Sequence, residues 1–304
     1  MSTSTLDTPS RSGPRPTATE STGRRVRRRG ERSRLATVLS HAALIVAGLI
    51  ALLPIAWLVL LSLGPDKNDY LHPGGIAHKA SLSNYSFVLE HTQFFEWLKS
   101  TLIVACGTAF IGVLFAATTG YAVSRMRFPG YRGLMWVLLL TQAFPIAVLI
   151  VPMYQILTDL RLIDNYLGLI LVYCGTAVPY CTWLLKGYFD TIPFEIDEAG
   201  RVDGLSPFGA YVRLILPLAR PGLAVAAFYS FITAFGEVAF ATTFMLDDSK
   251  YTLAVGLQSF ISEHDAQWNY MAATAVLIAV PVSAFFYLVQ KHLVTGLTAG
   301  GTKG

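Results

Sequence analysis

A polar stretch between two apolar runs holds the side chains that are best placed to contact something outside the lipid. Glu198, Gly204 and Pro217 lie in the segment EAGRVDGLSPFGAYVRLILPLARP, residues 198–221. Its glycine and prolines predict a short helix that stops in a turn at Gly204, and a second short helix that Ser206 caps and that runs from Pro207 to about Leu216. Neither helix is long enough to cross a bilayer. Such an element either lies on lipid headgroups or docks into a partner protein. Its acidic side chains are unfavourable beside anionic lipid, which favours a protein partner.

No pattern of catalytic side chains accompanies this stretch. The sequence lacks His-Glu-x-x-His and Gly-x-Ser-x-Gly, and His264 beside Asp265 is too little for an active site. The C-terminal GLTAGGTKG has Gly296 and Gly301 five residues apart with a lysine nearby. A phosphate loop requires Gly-Lys-Ser/Thr between a strand and a helix, which this ending does not provide. We therefore expect no catalytic residue, no metal and no bound nucleotide in this chain.

The elements that must position these residues are membrane-spanning helices. Of 304 residues, 53% are hydrophobic and 14% are charged, with a mean hydropathy of +0.51. Apolar runs close to the length that crosses a bilayer recur along the chain, and backbone groups in lipid must be satisfied within a helix. We predict an all-α membrane protein with six transmembrane helices, at 41–63, 98–123, 134–157, 166–186, 221–246 and 271–294.

Basic residues indicate on which side of the membrane each loop lies. Six spans place both termini on one side, and a cytoplasmic N-terminus puts 18 Lys and Arg inside against 5 outside. Cytoplasmic loops carry this excess, so we predict a multi-pass bacterial inner-membrane protein with both termini cytoplasmic. The net charge of +4 then belongs mostly to the tail and requires no nucleic-acid partner. We expect residues 1–35, rich in Arg, Ser, Thr and Pro, to be disordered, and 36–304 to form the six-span domain.

The spacing E-A-x-x-x-D-G-x(12)-P resembles the EAA loop of ABC importer permeases. The matching residues are Glu198, Ala199, Asp203, Gly204 and Pro217. The sequence departs from the family pattern at Gly200 (alanine in the family), Leu205 (alanine), Tyr211 (phenylalanine) and Leu214 (isoleucine). The resemblance implies the MetI-like permease fold, in which this loop, here at 187–220, forms a cytoplasmic coupling helix between two spans.

Other segments are similar to the carbohydrate branch of the same family. They are MRFPG (126–130), KGYFDTIP (186–193), YTLAVGLQSF (251–260) and GLTAGGTKG (296–304). The last two resemble the smaller membrane subunit of maltose/maltodextrin importers most. This resemblance implies a transport subunit, not an enzyme, that moves maltose/maltodextrin-type sugars. The implied partners are a second permease subunit (MalF-like), an ATPase homodimer (MalK-like) that binds ATP and Mg, an extracytoplasmic sugar-binding protein and membrane lipid.

The resemblance also assigns roles to three groups of residues. ATPase coupling falls to Glu198, Ala199, Gly200, Asp203, Gly204 and Pro217, with Glu198 as a polar contact and Gly204 as the hinge. Contact with the sugar-binding protein falls to Leu246, Asp247, Asp248, Ser249, Lys250, Tyr251 and Thr252, although this stretch also reads as an ordinary solvated turn. A second ATPase contact falls to Gly296, Gly300, Gly301 and Lys303, in a flexible tail at 295–304.

Two alternatives remain open from the sequence. An ion-coupled secondary transporter would carry charged residues at mid-span, and Glu237 is the clear ionisable candidate here, with structural and functional interpretations equal. An ABC permease for another sugar, such as trehalose, fits the same motifs. Tyr173, Tyr180, Trp183 and Tyr229 could face a sugar, but aromatic side chains in spans more often pack between helices.

Overall fold

The protein is described by a computed structural model that covers residues 34–66, 68, 76, 79–126, 128–261 and 266–299, with side chains described between 36 and 291. The tail predicted to be disordered, 1–35, lies outside the described residues except for its last two, which begin a helix. The chain divides into two compact units, Met1–Leu52 and Leu53–Gly304. The described part of the first unit is helical throughout, and its apolar side chains are exposed.

Helices make up most of the described chain. They are α1 (Arg34–Ser62), α2 (Ser83–His91), α3 (Phe94–Arg125), α4 (Tyr131–Thr141), α5 (Ile146–Asp159), α6 (Tyr166–Phe189), α7 (Glu195–Val202), α8 (Pro207–Leu218), α9 (Arg220–Phe235), α10 (Ala239–Phe244), α11 (Leu253–Gln258) and α12 (Trp268–Ala299). Within the described residues, β-type pairing is limited to an isolated bridge between Ile261 and Ala266. The prediction of an all-α membrane protein is confirmed.

Four of the six predicted spans are single helices that are long and apolar enough to cross a membrane. They are Ala36–Ser62, Phe94–Arg125, Tyr166–Phe189 and Trp268–Lys291. The third predicted span, 134–157, is instead the pair α4 and α5, which meet at an angle of 104°. Pro145 is the N-cap of α5 and lacks the N–H that would continue α4, so the bend has a direct cause.

The fifth predicted span, 221–246, is interrupted after Phe235, where α9 ends. The carboxylate of Glu237 accepts hydrogen bonds from the backbone N–H of Phe240 at 3.0 Å and of Ala241 at 3.2 Å. Both N–H groups lie in the first turn of α10, where they have no partner within the helix. The Glu237 carboxylate therefore caps this helix. The prediction of one continuous helix was wrong here, because α9 ends at Phe235 and a new helix, which Glu237 caps, begins at Ala239. At its other end α9 meets α8 at an angle of 80°.

Small residues allow α3, α6 and α9 to pack closely. A β-carbon at Gly120 would lie 3.1 Å from the backbone nitrogen of Lys186 and 3.3 Å from the carbonyl oxygen of Thr182, so α3 and α6 approach there. Two turns earlier Gly112 faces α9, where a β-carbon would lie 3.6 Å from the Ser230 hydroxyl. Close approach through small residues is the usual way in which helices associate in lipid. The packing holds α3 firmly, and each end of α3 contacts a segment with a predicted function, the loop before Leu253 at one end and residues 187–220 at the other.

Candidate functional site

The segment whose glycine and prolines predicted two short helices does form two short helices and a tight turn. It is here called the two-helix element (residues 195–218). Its first helix, α7, carries Glu195, Asp197 and Glu198 in the first turn. Acidic side chains are favourable at this end of a helix because the helix dipole is positive there. The element is too short to span a membrane, as predicted from the sequence.

Gly204 ends α7 in the manner that its position predicts. Its φ is +83°, in the left-handed region that glycine adopts without strain. The Leu205 N–H donates to the carbonyl of Gly200 at 2.9 Å, and the Gly204 N–H donates to that of Arg201 at 3.0 Å. This pair of bonds is the Schellman motif, which satisfies carbonyls at the end of a helix. The prediction that Gly204 stops the first helix is confirmed.

The second helix of the element begins at the predicted cap and ends slightly later than expected. The Ser206 hydroxyl accepts a hydrogen bond from the Gly209 N–H at 3.1 Å, and Pro207 occupies the first turn. The helix continues through Pro217 to Leu218, two residues beyond the predicted end. Proline removes one backbone donor, and the preceding turn from Tyr211 has π-helical bonding that accommodates the loss.

The exposed surface of the two-helix element combines an acid with large apolar side chains. Glu198, Ala199 and Asp203 are exposed, and Val202 and Phe208 are 88% and 71% exposed. A cleft of about 520 Å³ adjoins them, lined by Gly204, Leu205, Ser206, Phe208, Gly209, Val212 and Arg213. Large apolar side chains in such an exposed position on a charged element are unfavourable in water, so this surface has the composition of a contact site.

Gly200, the main departure from the family pattern, lies between the two helices of the element. It is buried, and a β-carbon there would lie 2.7 Å from Cδ1 of Leu214 and 3.5 Å from the β-carbon of Ala210. The glycine therefore faces α8 and does not reach the exposed surface. The departure affects how α7 packs on α8 and leaves the residues available for a partner unchanged.

We expect Gly200→Ala to be close to neutral for stability. Alanine favours a helix over glycine by about 1 kcal/mol, and this gain is offset by displacement of Leu214 Cδ1, the far end of a flexible side chain. Gly200→Leu cannot fit and should lower the unfolding midpoint of the detergent-purified protein in a thermal scan. Equal losses in the two variants would show that the helices do not pack as described.

Residues 246–252, the 246–252 loop, fold into a compact turn. The carboxylate of Asp247 accepts hydrogen bonds from the Ser249 N–H at 2.9 Å and from its hydroxyl at 2.7 Å. Hydrogen bonds from Ser249 hold the pKa of Asp247 below its usual range, so the carboxylate is charged at neutral pH. Leu246, Asp247 and Asp248 are exposed at the tip, whereas Thr252 is buried. The turn predicted from the sequence is thus present, and its contact with a binding protein stays a prediction.

Asp164, in the connection between α5 and α6, holds the loop from one side. Its Oδ1 accepts hydrogen bonds from the N–H groups of Leu246 at 3.0 Å and Asp247 at 3.2 Å. Its own N–H donates to the carbonyl of Phe244 at 2.9 Å, and its Oδ2 forms an ion pair with Lys250. Asp164 has a φ of +56°, which aspartate tolerates better than most residues. One side chain therefore satisfies three groups of the loop.

The ionisation of Asp164 and Lys250 favours this linkage across neutral pH. Partial burial acts to raise the pKa of Asp164, but hydrogen bonds from Lys250 and from the N–H groups of Leu246 and Asp247 bring it below the usual range. The hydrogen bond to Asp164 raises the pKa of Lys250. Both side chains are therefore charged near pH 7.

The N-terminal end of α3 holds the loop from the other side. The Trp97 indole N–H donates to the carbonyl of Asp248 at 2.9 Å, and the Thr101 hydroxyl accepts a hydrogen bond from the Leu253 N–H at 2.7 Å. These partners are separated by 151 and 152 residues, and Asp164 lies 82 residues from Leu246. Sequence reasoning missed all three anchors because no local pattern marks partners so distant along the chain.

The predicted C-terminal contact falls mostly outside the described residues. Gly296 lies in α12, which continues to Ala299. Gly300, Gly301 and Lys303 are outside the described residues. The first residues of the predicted tail are thus helical, and the ATPase contact stays a prediction.

The remaining candidates inside the helices mostly have structural partners. The Tyr173 hydroxyl donates to Glu237 at 2.6 Å, and Tyr173 is buried. Glu237 therefore caps α10 and binds a tyrosine, which accounts for the one acid that the sequence placed in a span. The Tyr180 and Tyr229 rings contact each other at a tilt of 34°, with centroids 4.1 Å apart, and the Trp183 indole donates to the carbonyl of Met135 at 3.1 Å.

The family assignment rests on comparison with known proteins. A model of the family described as binding-protein-dependent transport system inner membrane component matches residues 108–298, which include the two-helix element and the 246–252 loop. The chain belongs to this family. The permease is accordingly a transport component and not an enzyme, and an ion-coupled secondary transporter is no longer an alternative. Membership implies that it works with another permease, an ATPase and a binding protein.

Named relatives cover most of the permease. The maltose/maltodextrin transport system permease protein MalG of Salmonella typhimurium is 34% identical over 288 residues, which cover 89% of this chain and 97% of that protein. The galactooligosaccharides transport system permease protein GanQ of Bacillus subtilis is 32% identical over 271 residues, covering 88% and 95%. The predicted likeness to maltose-type permeases is confirmed.

A solved structure shows the same fold. It is the crystal structure of a bacterial ABC transporter involved in the import of the acidic polysaccharide alginate. The match has a TM-score of 0.70 at 22% identity and covers 86% of this permease and 99% of that chain. This likeness confirms the predicted MetI-like permease architecture.

Proposed function

We propose that the permease is the membrane-spanning subunit of an ATP-driven importer for maltose/maltodextrin-type sugars. In this proposal the two-helix element docks into an ATPase subunit, and the 246–252 loop contacts an extracytoplasmic sugar-binding protein. The exposed surface of the two-helix element carries the proposal. Val202 and Phe208 are exposed, as is Glu198, on an element that cannot enter the membrane as a span, and a protein partner would cover them.

The proposed partners follow from the role of each surface. A second permease subunit (MalF-like) would complete the pathway, and an ATPase homodimer (MalK-like) would bind ATP and Mg and receive the two-helix element. Both termini would lie on the cytoplasmic side with the ATPase, as supported by the 18 basic residues assigned there. Gly296, Gly300, Gly301 and Lys303 would contact the same ATPase.

The sugar is proposed on the likeness to MalG, and two other classes are tested against it. GanQ is named for galactooligosaccharides, and trehalose is the α-glucoside alternative left by the sequence. A sugar-binding protein that selects the substrate would decide among them, so these three sugars are compared in one assay.

The experiment is purification of the tagged permease from its native membranes, followed by reconstitution of what accompanies it. We expect a second permease and an ATPase in the complex, and uptake of labelled maltotriose that requires ATP and the binding protein. Unlabelled maltose should compete, whereas trehalose and a galactooligosaccharide should not. Isolation of the permease without an ATPase contradicts the proposal. Preferential uptake of trehalose or a galactooligosaccharide contradicts only the choice of sugar.

A further inference from the structure

A buried charged cluster connects the two-helix element to the C-terminal end of α3. Nε of Arg125, on α3, lies 3.1 Å from Oδ2 of Asp197, on α7, and the two side chains are 8% and 2% exposed. The hydroxyl of Tyr121, one turn earlier on α3, donates to Oδ1 of Asp197 at 2.6 Å. Both carboxylate oxygens of Asp197 therefore have a partner on α3, although 72 or more residues separate them along the chain.

Arg125 contacts Asp197 within the two-helix element and two residues in the segment that leads into it. Besides Asp197, its Nη2 donates to the carbonyl of Ile192 at 2.9 Å, and its guanidinium lies 5.7 Å from the ring centroid of Phe194. The bond from Nη2 to Ile192 is directed, whereas the contact with Asp197 is an ion pair in which Nε is not aligned for a hydrogen bond. Together the two contacts hold α7 and the residues just before it beside α3. Arg125 thus acts as a rigid connection rather than as a loose surface pair.

The burial of this pair argues for a positioning role. Two buried charges gain little net stability over an apolar pair because both lose their hydration. Removal of one of them alone is costly, since the other is then buried without a partner. A buried ion pair therefore restricts where its two elements lie more than it adds stability. Here the pair fixes the position of the two-helix element relative to α3.

We propose that Arg125 and Asp197, with Tyr121, form the joint through which movement of the two-helix element is transmitted to α3. The proposal rests on the proposed function, in which an ATPase moves that element. Trp97 and Thr101, near the other end of α3, hold the 246–252 loop. The 28 residues from Trp97 to Arg125 span about 42 Å at 1.5 Å per helical residue. One packed helix thereby links the ATPase side to the binding-protein side.

The test compares four variants of the permease in the reconstituted complex. Asp197→Asn keeps the size of the side chain and removes its charge, and Arg125→Lys keeps the charge and loses the fork of donors. Arg125→Met with Asp197→Leu removes both charges and retains an apolar contact. The matched control is Lys186→Met, since Lys186 pairs with Asp190 at the same end of the molecule. That pair joins positions one turn apart and does not connect α7 to α3.

Two measurements are read on each variant. Hydrogen exchange of the α7 amides, in the permease alone in nanodiscs, reports how firmly the element is held. Labelled maltotriose taken up per ATP hydrolysed reports transmission, and this ratio does not change when only the amount of folded complex falls. We expect faster exchange in α7 and about a tenfold lower ratio for Asp197→Asn and for the double variant. Arg125→Lys should be intermediate, and Lys186→Met should match the wild type.

Each outcome decides the proposal. Unchanged exchange in Asp197→Asn and the double variant shows that the cluster does not hold the element. Faster exchange with an unchanged ratio shows that it holds the element without transmitting movement. Both results overturn the joint. Failure of the wild-type complex to hydrolyse ATP or take up sugar is failure of the proposed function, and it is seen before any variant is compared. The exchange measurement needs no partner, so unchanged exchange in these variants overturns the joint in that case as well.

Discussion

Glu198→Lys is expected to abolish ATP-driven uptake while the permease stays folded in the membrane. Glu198 is exposed beside Val202 on the surface proposed to dock into the ATPase. Reversing a charge that becomes buried against a partner should weaken ATPase binding roughly a hundredfold or more. The same change affects the fold little, since a cation in the first turn of a helix costs only about 0.3–1 kcal/mol. ATPase retained on the tagged permease and uptake of labelled maltotriose are the measurements.

A matched variant separates docking from the general effect of charge. Glu90 is exposed on α2, outside both proposed contact surfaces, so Glu90→Lys makes the same chemical change elsewhere. It should leave both ATPase binding and uptake intact. Glu198→Gln, which removes the charge without reversing it, should fall between the wild type and Glu198→Lys. Wild-type ATPase retention and uptake in Glu198→Lys would show that the docking assignment is wrong.

Asp164→Ala is expected to release the 246–252 loop and to lower uptake from the binding protein about tenfold or more. The substitution removes the ion pair to Lys250 and leaves the N–H groups of Leu246 and Asp247 without their acceptor. It also places alanine at a positive φ, where aspartate is tolerated better. Hydrogen exchange of the loop and the uptake rate at increasing binding-protein concentration are the measurements. ATPase retention on the permease should be unchanged, because the two-helix element is untouched.

Asp164→Asn distinguishes the two parts of this linkage. The amide keeps an oxygen acceptor for the backbone N–H groups and loses the charge opposite Lys250, so we expect a smaller effect than with alanine. Asp159→Ala, at an exposed acid at the end of α5, is the control and should behave as the wild type. An Asp164→Ala permease with wild-type loop exchange and uptake would show that Asp164 does not position the loop.

The same linkage predicts how the loop responds to pH. The pKa of Asp164 is lower in the folded protein than in an unfolded chain, where it is about 3.9. Its stabilising contribution is therefore complete above about pH 5 and is lost only as the pH falls through the folded value, below that of an unfolded chain. Loop exchange, corrected for its intrinsic pH dependence, should stay constant from about pH 5 to 8 in the wild type.

Most of the helices could be predicted from the sequence, because they depend on interactions between residues that are close together in the chain. Apolar runs near the length of a bilayer crossing marked four helices correctly, because a spanning helix needs little besides length and hydrophobicity. Gly204 and Ser206 marked the turn between α7 and α8, because their effects are limited to a few neighbouring residues. The family resemblance was readable for the same reason, since its motif lies within one continuous segment.

The third and fifth predicted spans were wrong because a single residue near each break starts or caps a new helix, and hydrophobicity does not reveal this. Glu237 reads as an isolated acid within an apolar run, yet its carboxylate caps α10, the helix that follows the break in the predicted fifth span. Pro145 lies within the predicted third span, and the structure shows a bend of 104° there between two separate helices. An average over many residues cannot distinguish a helix that continues from one that stops and restarts.

By itself the sequence determined the helical class, the basic asymmetry of the loops, the two-helix element and the family. Only the tertiary structure decided which side chains hold the functional segments in place. Asp197 and Arg125 read as ordinary charges near helix ends, and Asp164 reads as a loop aspartate. Packing of α3, α6 and α9 brings each of them to a partner tens of residues away in the chain. Such pairs depend on how helices cross in three dimensions, which no local spacing encodes.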